Sequence, residues 1–508
     1  MSYQNNADSL DQKSDLETES TDISSPGQEP EVADISDSVE SGESTPVPSE
    51  NTSVSLDNTP DDAVMKLELE VVLNSVADCY PLIEVAIGEL EAADGKVISS
   101  WGQFDHVFSA YSISQPVGFY ETFQNGASIT RPLFSGGEVY GAYRIGDGNF
   151  EPWYGERETN EGGEFKLGFS VPLLKDRNID ARRATLWNSQ FQRRELTANV
   201  ESRLLEFQRF ATQAYWDWVA AGNAVRVQQA LLDLAKQRVQ QIDKRLEEGD
   251  LPKIAELDND RFIAKRTSEV IKANRKFQQS AIKLSLFLRD QNCVPIIANT
   301  DRLPTFSIST AMLAETQVVA DISQAIAIRP EVAELVAQRQ QTCVDLSYAQ
   351  NLMLPKFDVK GFAGQDVGTP ASSKGDKSAL EFQVGMYAEV PIQRREGIGK
   401  TQTAEAKLSQ IEAKRQFLCE KITVEIQDAA SAVNAAHQNI EQSQRNADLT
   451  QRSLELARVS FEAGDIDLIE LNIYETSVAD AQLQLISAQL EYVYYLAVYQ
   501  TAISGTAF

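Results

Sequence analysis

The sequence predicts a mainly α protein with some β, built from long α-helical hairpins and four β-strands in two internal structural repeats. Three observations predict it. Two acidic Gly-Asp turns, LEEGDLPKIAEL at 246–257 and FEAGDIDLIEL at 461–471, lie 215 residues apart. An apolar seam at 3,4 spacing runs up to each turn, and alternating segments precede each seam. At the offset of 215, Glu247, Gly249, Asp250, Ile254 and Ala264 fall on Glu462, Gly464, Asp465, Ile469 and Ala479. The seam Ile422, Ile426, Ala429, Val433, Ala436 and Ile440, continued at Leu454, Ala457 and Phe461, falls on Phe207, Ala211, Ala214, Trp218, Ala221 and Val225, then Val239, Ile242 and Leu246. Bundle core accounts for any one apolar position. It does not account for the shared register.

Each half reads as helix, strand, strand, long helix, Gly-Asp turn, helix. The leading helices are expected near Met65–Ser99 and Ile322–Asn351, with Pro81 and Pro330 toward their starts. Period-two segments follow, FDHVFSAYSISQPV from Phe104 and EFKLGFSVPL from Glu164 in the first half, PKFDVKGFAG from Pro355 and EFQVGMYAEVPI from Glu381 in the second. These are strands, and Val171-Pro172 and Val390-Pro391 stop their ladders. From Ile179 to Glu248 there is no Pro and one Gly, Gly222, so a single helix on the order of 105 Å can form. Gly399–Ala463 repeats it, and Lys253–Arg289 and Asp467–Ser504 are the returning arms of two antiparallel hairpins. The segment 114–160, rich in Gly and aromatics, reads as an extended surface hairpin or loop. The expected domains are a disordered acidic segment at 1–62, a first repeat at 63–290, a connector at 291–321 and a second repeat at 322–508.

Composition excludes several functions. The net charge is −29, and residues 1–62 alone hold 16 acids against one Lys in a setting almost without aromatics, the signature of disorder. The acidic remainder has no basic patch, so nucleic acid is not an expected partner. Cys79, Cys293, Cys343 and Cys419 are far apart and form no CxxC pair, so neither zinc nor a disulfide framework is expected. Two histidines cannot make an imidazole metal cluster. No apolar run reaches the length of a membrane helix, and the first twenty residues lack the basic start and apolar core of a secretory signal. GIGKT at 397–401 follows a strand and opens a helix, but a phosphate loop needs Gly where Arg394 stands. No catalytic constellation is visible, so no enzyme and no cofactor are expected.

Four strands cannot close a barrel alone, and seams on more than one helix face need neighbours, which points to a symmetric homo-oligomer. The combination of VPLLKDRNIDARRA at 171–184, EVPIQRREGIGKTQTAEAKL at 389–408, RPEVAELVAQRQQ at 329–341 and the paired Gly-Asp turns resembles the TolC-like outer membrane efflux protein family, from about Met65 to Phe508. The resemblance implies a homotrimer with a twelve-stranded β-barrel in outer membrane lipid and an α-barrel tunnel across the periplasm. It implies a passive exit duct of a tripartite efflux or type I secretion system, served by an inner membrane pump and a periplasmic adaptor protein. The turns would then form the periplasmic gate and adaptor contact, through Glu248, Gly249, Asp250, Phe461, Gly464, Asp465, Asp467 and Glu470. Family gates can place an aromatic, an Arg and an Asp about the second turn. Here Phe461, Ile466 and Glu470 stand there, so the Arg of a salt-bridged lock is missing. The alternative is a soluble coiled-coil scaffold or interaction protein.

Overall fold

The Pro-free stretches fold as the long helices their seams predict. The computed structural model describes residues 66–249, 252–304, 308–370 and 375–504; the acidic segment 1–62 and Asp250 lie outside them. The first half runs α1 (Leu69–Cys79), α2 (Pro81–Trp101), β1 (Val107–Gln115), β2 (Thr122–Pro132), β3 (Glu138–Gly148), β4 (Glu164–Pro172), α3 (Ala181–Glu247) and α4 (Ile254–Leu284). The second runs α5 (Glu315–Ile328), α6 (Pro330–Asn351), β5 (Lys356–Asp366), β6 (Glu381–Glu389), α7 (Arg395–Ala463) and α8 (Leu468–Ile503). Each leading helix is broken where Pro81 or Pro330 removes a backbone donor and forces its predecessor out of the helical region. Helix α5 starts inside the expected connector.

The count of four strands is corrected to six. The segment 114–160 does contain a hairpin, but β2 and β3 are inserted between β1 and β4 in one antiparallel sheet ordered β1-β2-β3-β4-β5-β6. Successive residues of a strand place their side chains on alternate faces and residues paired across strands share one, so the register shows what each face is. Phe108, Phe123, Ala127, Ile129, Val139, Ile145, Phe165, Leu167, Val359, Phe382, Val384 and Met386 all share one face. The opposite face carries Ser109, Gln124, Ser128, Arg144, Glu164, Lys166, Lys360, Asp366, Gln383 and Glu381. Among the described residues β1 pairs only with β2 and β6 only with β5, so two ladders end in open edges. Each chain thus has six strands where the expected twelve-stranded barrel gave it four.

Below the sheet α2, α3, α6 and α7 pack side by side in that order, and α3–α4 and α7–α8 continue as antiparallel pairs with α3 against α8. The motifs behind the resemblance build the corners. Asp180 caps α3 by accepting from the Arg183 N–H at 2.9 Å. The buried Arg183 donates to the carbonyls of Asp176, Arg177 and Asn178 at 2.6–3.1 Å. Asn351, at the end of α6, pairs twice with Asp176 at 2.8 Å and ties the two halves together.

Two cores of equivalent position fill the middle of the helices. One joins Val72, Val76, Trp218, Phe277 and Leu284, the other Ile422, Ile426, Val433, Tyr492 and Tyr499. Beside the first, Cys79 and Cys293 form a disulfide with Cα atoms 5.1 Å apart. This corrects the expectation of no disulfide: the partners are 214 residues apart in sequence and meet only when α1 lies on α3. Leu69–Phe104 is long and apolar enough to cross a bilayer by length and composition. That corrects the expectation of no such segment, because its Val, Leu and Ile are interspersed with single polar residues rather than gathered in one run. It packs along α3.

Candidate functional site

The candidate site is the end of the two helical hairpins farthest from the sheet in sequence. Both turns use a left-handed glycine, Gly249 at φ 80° and Gly464 at φ 84°, a conformation that costs other residues about 1–2 kcal/mol. At the second turn the Gly464 and Asp465 N–H groups donate to the carbonyls of Phe461 and Ser460 at 3.2 and 2.9 Å, which satisfies the last turn of α7. Asp467 caps α8, accepting from the Glu470 N–H at 2.7 Å. At the first turn Lys244 and Arg245 occupy the last turn of α3, where cations meet the negative end of the helix dipole.

The expected site residues separate into two groups. Glu248, Gly249, Gly464, Asp465, Asp467 and Glu470 are solvent-exposed, as are Glu247, Glu256 and Glu462. Phe461 is buried instead, in a cluster with Ile242, Ala255, Leu454, Ala457, Leu468, Leu471 and Val478. That cluster takes side chains from α3, α4, α7 and α8, so both hairpin ends are held by one apolar contact.

The cation absent from the second turn comes from the first hairpin, one to three turns above the end. Arg245 of α3 lies 5.3 Å from the Phe461 ring centroid and donates to the Phe461 carbonyl at 3.3 Å. Arg238 of α3 forms a buried ion pair with Glu475 of α8. Arg266 of α4 donates to Thr476 at 2.7 Å and Asn472 at 3.4 Å. Burial lowers its pKa, and the carboxylates of Glu475 and Asp480 oppose that. The second turn itself still has no arginine, with Ile466 at that place, and the cations that reach α7 and α8 come from α3 and α4. These residues sit at heptad positions that read as ordinary core or surface, and their partners lie more than 200 residues away. Next to the Arg238 pair, a cavity of about 480 Å³ opens between α3 and α7, lined by Arg238, Ile242, Arg245, Arg458, Phe461 and Glu462.

Residues 322–497 match the model of a protein family described as outer membrane efflux protein. Over this segment, about a third of its length, the chain is similar to outer membrane efflux proteins. The whole fold is similar to that of solved outer membrane channels. The Campylobacter jejuni channel CmeC is 13% identical with a TM-score of 0.57, covering 91% of this chain and 94% of that one. The Vibrio cholerae outer membrane protein VceC is 14% identical with a TM-score of 0.58, covering 87% and 96%. The open state of the Neisseria gonorrhoeae channel MtrE is 13% identical with a TM-score of 0.57, covering 86% and 89%. None of the curated proteins matches the chain in sequence. The efflux-protein segment begins within α5 and ends within α8, so it contains β5, β6 and the whole second turn, whereas β2, β3 and the arginines of α3 and α4 lie outside it.

Proposed function

We propose that three copies of this chain form an outer membrane channel whose helices extend as a duct through the periplasm. Substrate would be passed to it by an inner membrane pump through a periplasmic adaptor protein, in tripartite efflux or type I secretion. The observation that carries this reading is the six-stranded sheet, apolar on one face, polar on the other and open at both edges. Such a sheet is stable in lipid only when β1 of one copy pairs with β6 of the next and the ring closes. Helices α2 and α7 lie at the same two edges and expose Leu82, Val85, Ile98, Trp101, Phe417 and Val424, apolar surface that ring closure covers. The disulfide fits an oxidising compartment such as the periplasm. On this reading the two halves are repeats of one unit, and α3–α4 and α7–α8 of three copies converge on a gate.

The gate is held shut by Arg238–Glu475, by Arg266 with Asn472 and Thr476, and by Arg245 over Phe461. Its exposed rim is acidic, through Glu248, Asp465, Asp467 and Glu470 on the described turns. Carboxylates gathered at a constriction attract cations over a screening length of about 10 Å at 0.1 M salt. Planar-bilayer recordings test this. Changing Asp465, Asp467 and Glu470 to Asn, Asn and Gln keeps size and capping, and cation selectivity at low salt should fall sharply. Unchanged reversal potentials would remove these acids from the entrance.

A further inference from the structure

We infer that the β2–β3 hairpin is part of the membrane wall, so that the trimer's barrel is eighteen-stranded and as wide as the helical duct beneath it. This rests on the channel reading above. The hairpin has the registers and the faces of a wall rather than those of a surface loop. Its strands pair with β1 over nine residues, from Val107↔Thr130 to Gln115↔Thr122, and with β4 over seven, from Glu138↔Ser170 to Arg144↔Glu164. The apolar face established by Phe165, Leu167, Phe382 and Met386 extends through Val139, Ile145, Phe123 and Ile129 to Phe108, with Arg131, Asn125, Asp147, Ser112 and Ser114 as the polar residues of β1–β3 on that face. Phe108, Phe123, Ile129 and Val139 are exposed to the outside in the isolated chain, as Leu167 and Phe382 are. A solvated hairpin would be destabilised by such a band, and a lipid-facing wall requires it.

Side chains on the polar face also join the hairpin to its neighbours. A Cβ added at Gly126 of β2 would meet the Tyr111 ring of β1 at 2.5 Å, and one at Gly168 of β4 would meet the Tyr140 ring of β3 at 2.3 Å. Each tyrosine therefore lies across the glycine of the adjoining strand, an aromatic cover that pins register. Arg144 of β3 pairs with Glu164 of β4, which Lys166 also contacts at 3.1 Å.

The geometry of closure gives the same width. Strands about 4.8 Å apart and tilted about 40° each take up roughly 6.3 Å of circumference. Eighteen then span about 110 Å, whereas twelve span about 75 Å. The duct beneath holds α2, α3, α6 and α7 from each copy, and twelve helices about 9 Å apart span about 110 Å. Six strands per chain thus match four helices per chain, and the barrel does not narrow. Both circumferences correspond to about 35 Å between opposite backbones. The membrane section then imposes no size limit of its own on cargo, and the periplasmic end alone sets it.

Nitroxide labels on single cysteines test the assignment in the full-length trimer reconstituted in liposomes, with Cys343→Ala and Cys419→Ala as background and the disulfide retained. Labels at Ala127, Ile129 and Ile145 should be relaxed by oxygen dissolved in lipid. Labels at Ser128 and Ala142 should be relaxed by a water-soluble nickel chelate. Leu167 and Lys166 in β4 serve as the lipid-facing and lumen-facing controls. Period-two alternation in β2, β3 and β4 supports the eighteen-stranded wall. Alternation in β4 with uniform nickel access along β2 and β3 would overturn it and leave the channel reading intact. Uniform nickel access in β4 as well would overturn both.

Discussion

The two halves of the chain follow one path but are held by different chemistry. Both break the leading helix at a proline, yet Tyr80 precedes Pro81 and packs on Phe207 and Phe287 at 4.8 and 5.5 Å, while Arg329 precedes Pro330 and binds Glu331 and Glu425 at 2.6 and 3.0 Å. The first half has a disulfide at its core; the cysteines of the second, Cys343 and Cys419, are free. At the turns the first hairpin supplies the arginines and the second supplies the carboxylate, amide and ring that receive them. Identical halves could not do this, because like charges would face each other. The difference teaches that the shared pattern specifies backbone, and that divergence of a few side chains makes one half complementary to the other.

The comparison breaks most severely at the buried ion pair. Glu475→Ala leaves Arg238 charged and uncompensated, a loss of about 3–5 kcal/mol, to be read from denaturant unfolding. Arg238→Met with Glu475→Leu should be close to neutral, since two apolar side chains of similar volume replace the pair. Equal losses in both variants would mean that the site tolerates no apolar packing.

Ala221 and Ala436 sit at equivalent seam positions, each 5% exposed. Leucine at either should overpack its core by roughly 1–3 kcal/mol. A smaller loss at Ala221, once the disulfide is reduced, would sharpen the role of that bond, which by loop entropy contributes up to about 5 kcal/mol in the first half.

The proline junctions differ in pH response. Burial raises the Glu331 pKa, but the hydrogen bonds and charge of Arg329 outweigh it and hold the carboxyl below its usual range. A depressed pKa stabilises the fold above the carboxyl's ordinary value near 4.5 and loses that contribution as pH falls below it. Arg329→Gln should therefore destabilise by about 1–2 kcal/mol at neutral pH, with the gap to the parent closing on acidification. Tyr80→Leu should show a gap that does not change with pH.

The smallest effects are at the turns. Gly249→Ala and Gly464→Ala should each cost about 1 kcal/mol, because both glycines have positive φ and open space around Cβ. Asp467→Ala removes a cap and should cost about 1 kcal/mol, whereas Asp465→Ala should stay within about 0.5 kcal/mol. Thermal melts of the four variants check the order.

The sequence made the long helices legible because an unbroken seam of small and aliphatic residues admits few alternatives. It made β1, β4, β5 and β6 legible through their alternation. The hairpin β2–β3 reads only as a surface hairpin or loop although Phe123, Ala127 and Ile129 alternate, since Gly126 and Gly146 interrupt the opposite face and Gly141 the apolar one. The Gly136-Gly137 turn, with φ of 94° and 82°, was the available signal. Phe461 was placed at the rim as an aromatic beside a turn, but it faces inward with the rest of its seam. The arginines and the disulfide were invisible for one reason: each depends on elements more than 200 residues apart meeting in space.

The central claim is that the open edges β1 and β6 close on neighbouring copies, and the mass of the full-length protein in detergent tests it most directly. A monodisperse particle whose protein mass is three times 56.2 kDa is the expected result. A stable, monodisperse monomer with native helix content would contradict it, because a lone chain would leave both sheet edges and the apolar flanks of α2 and α7 uncovered.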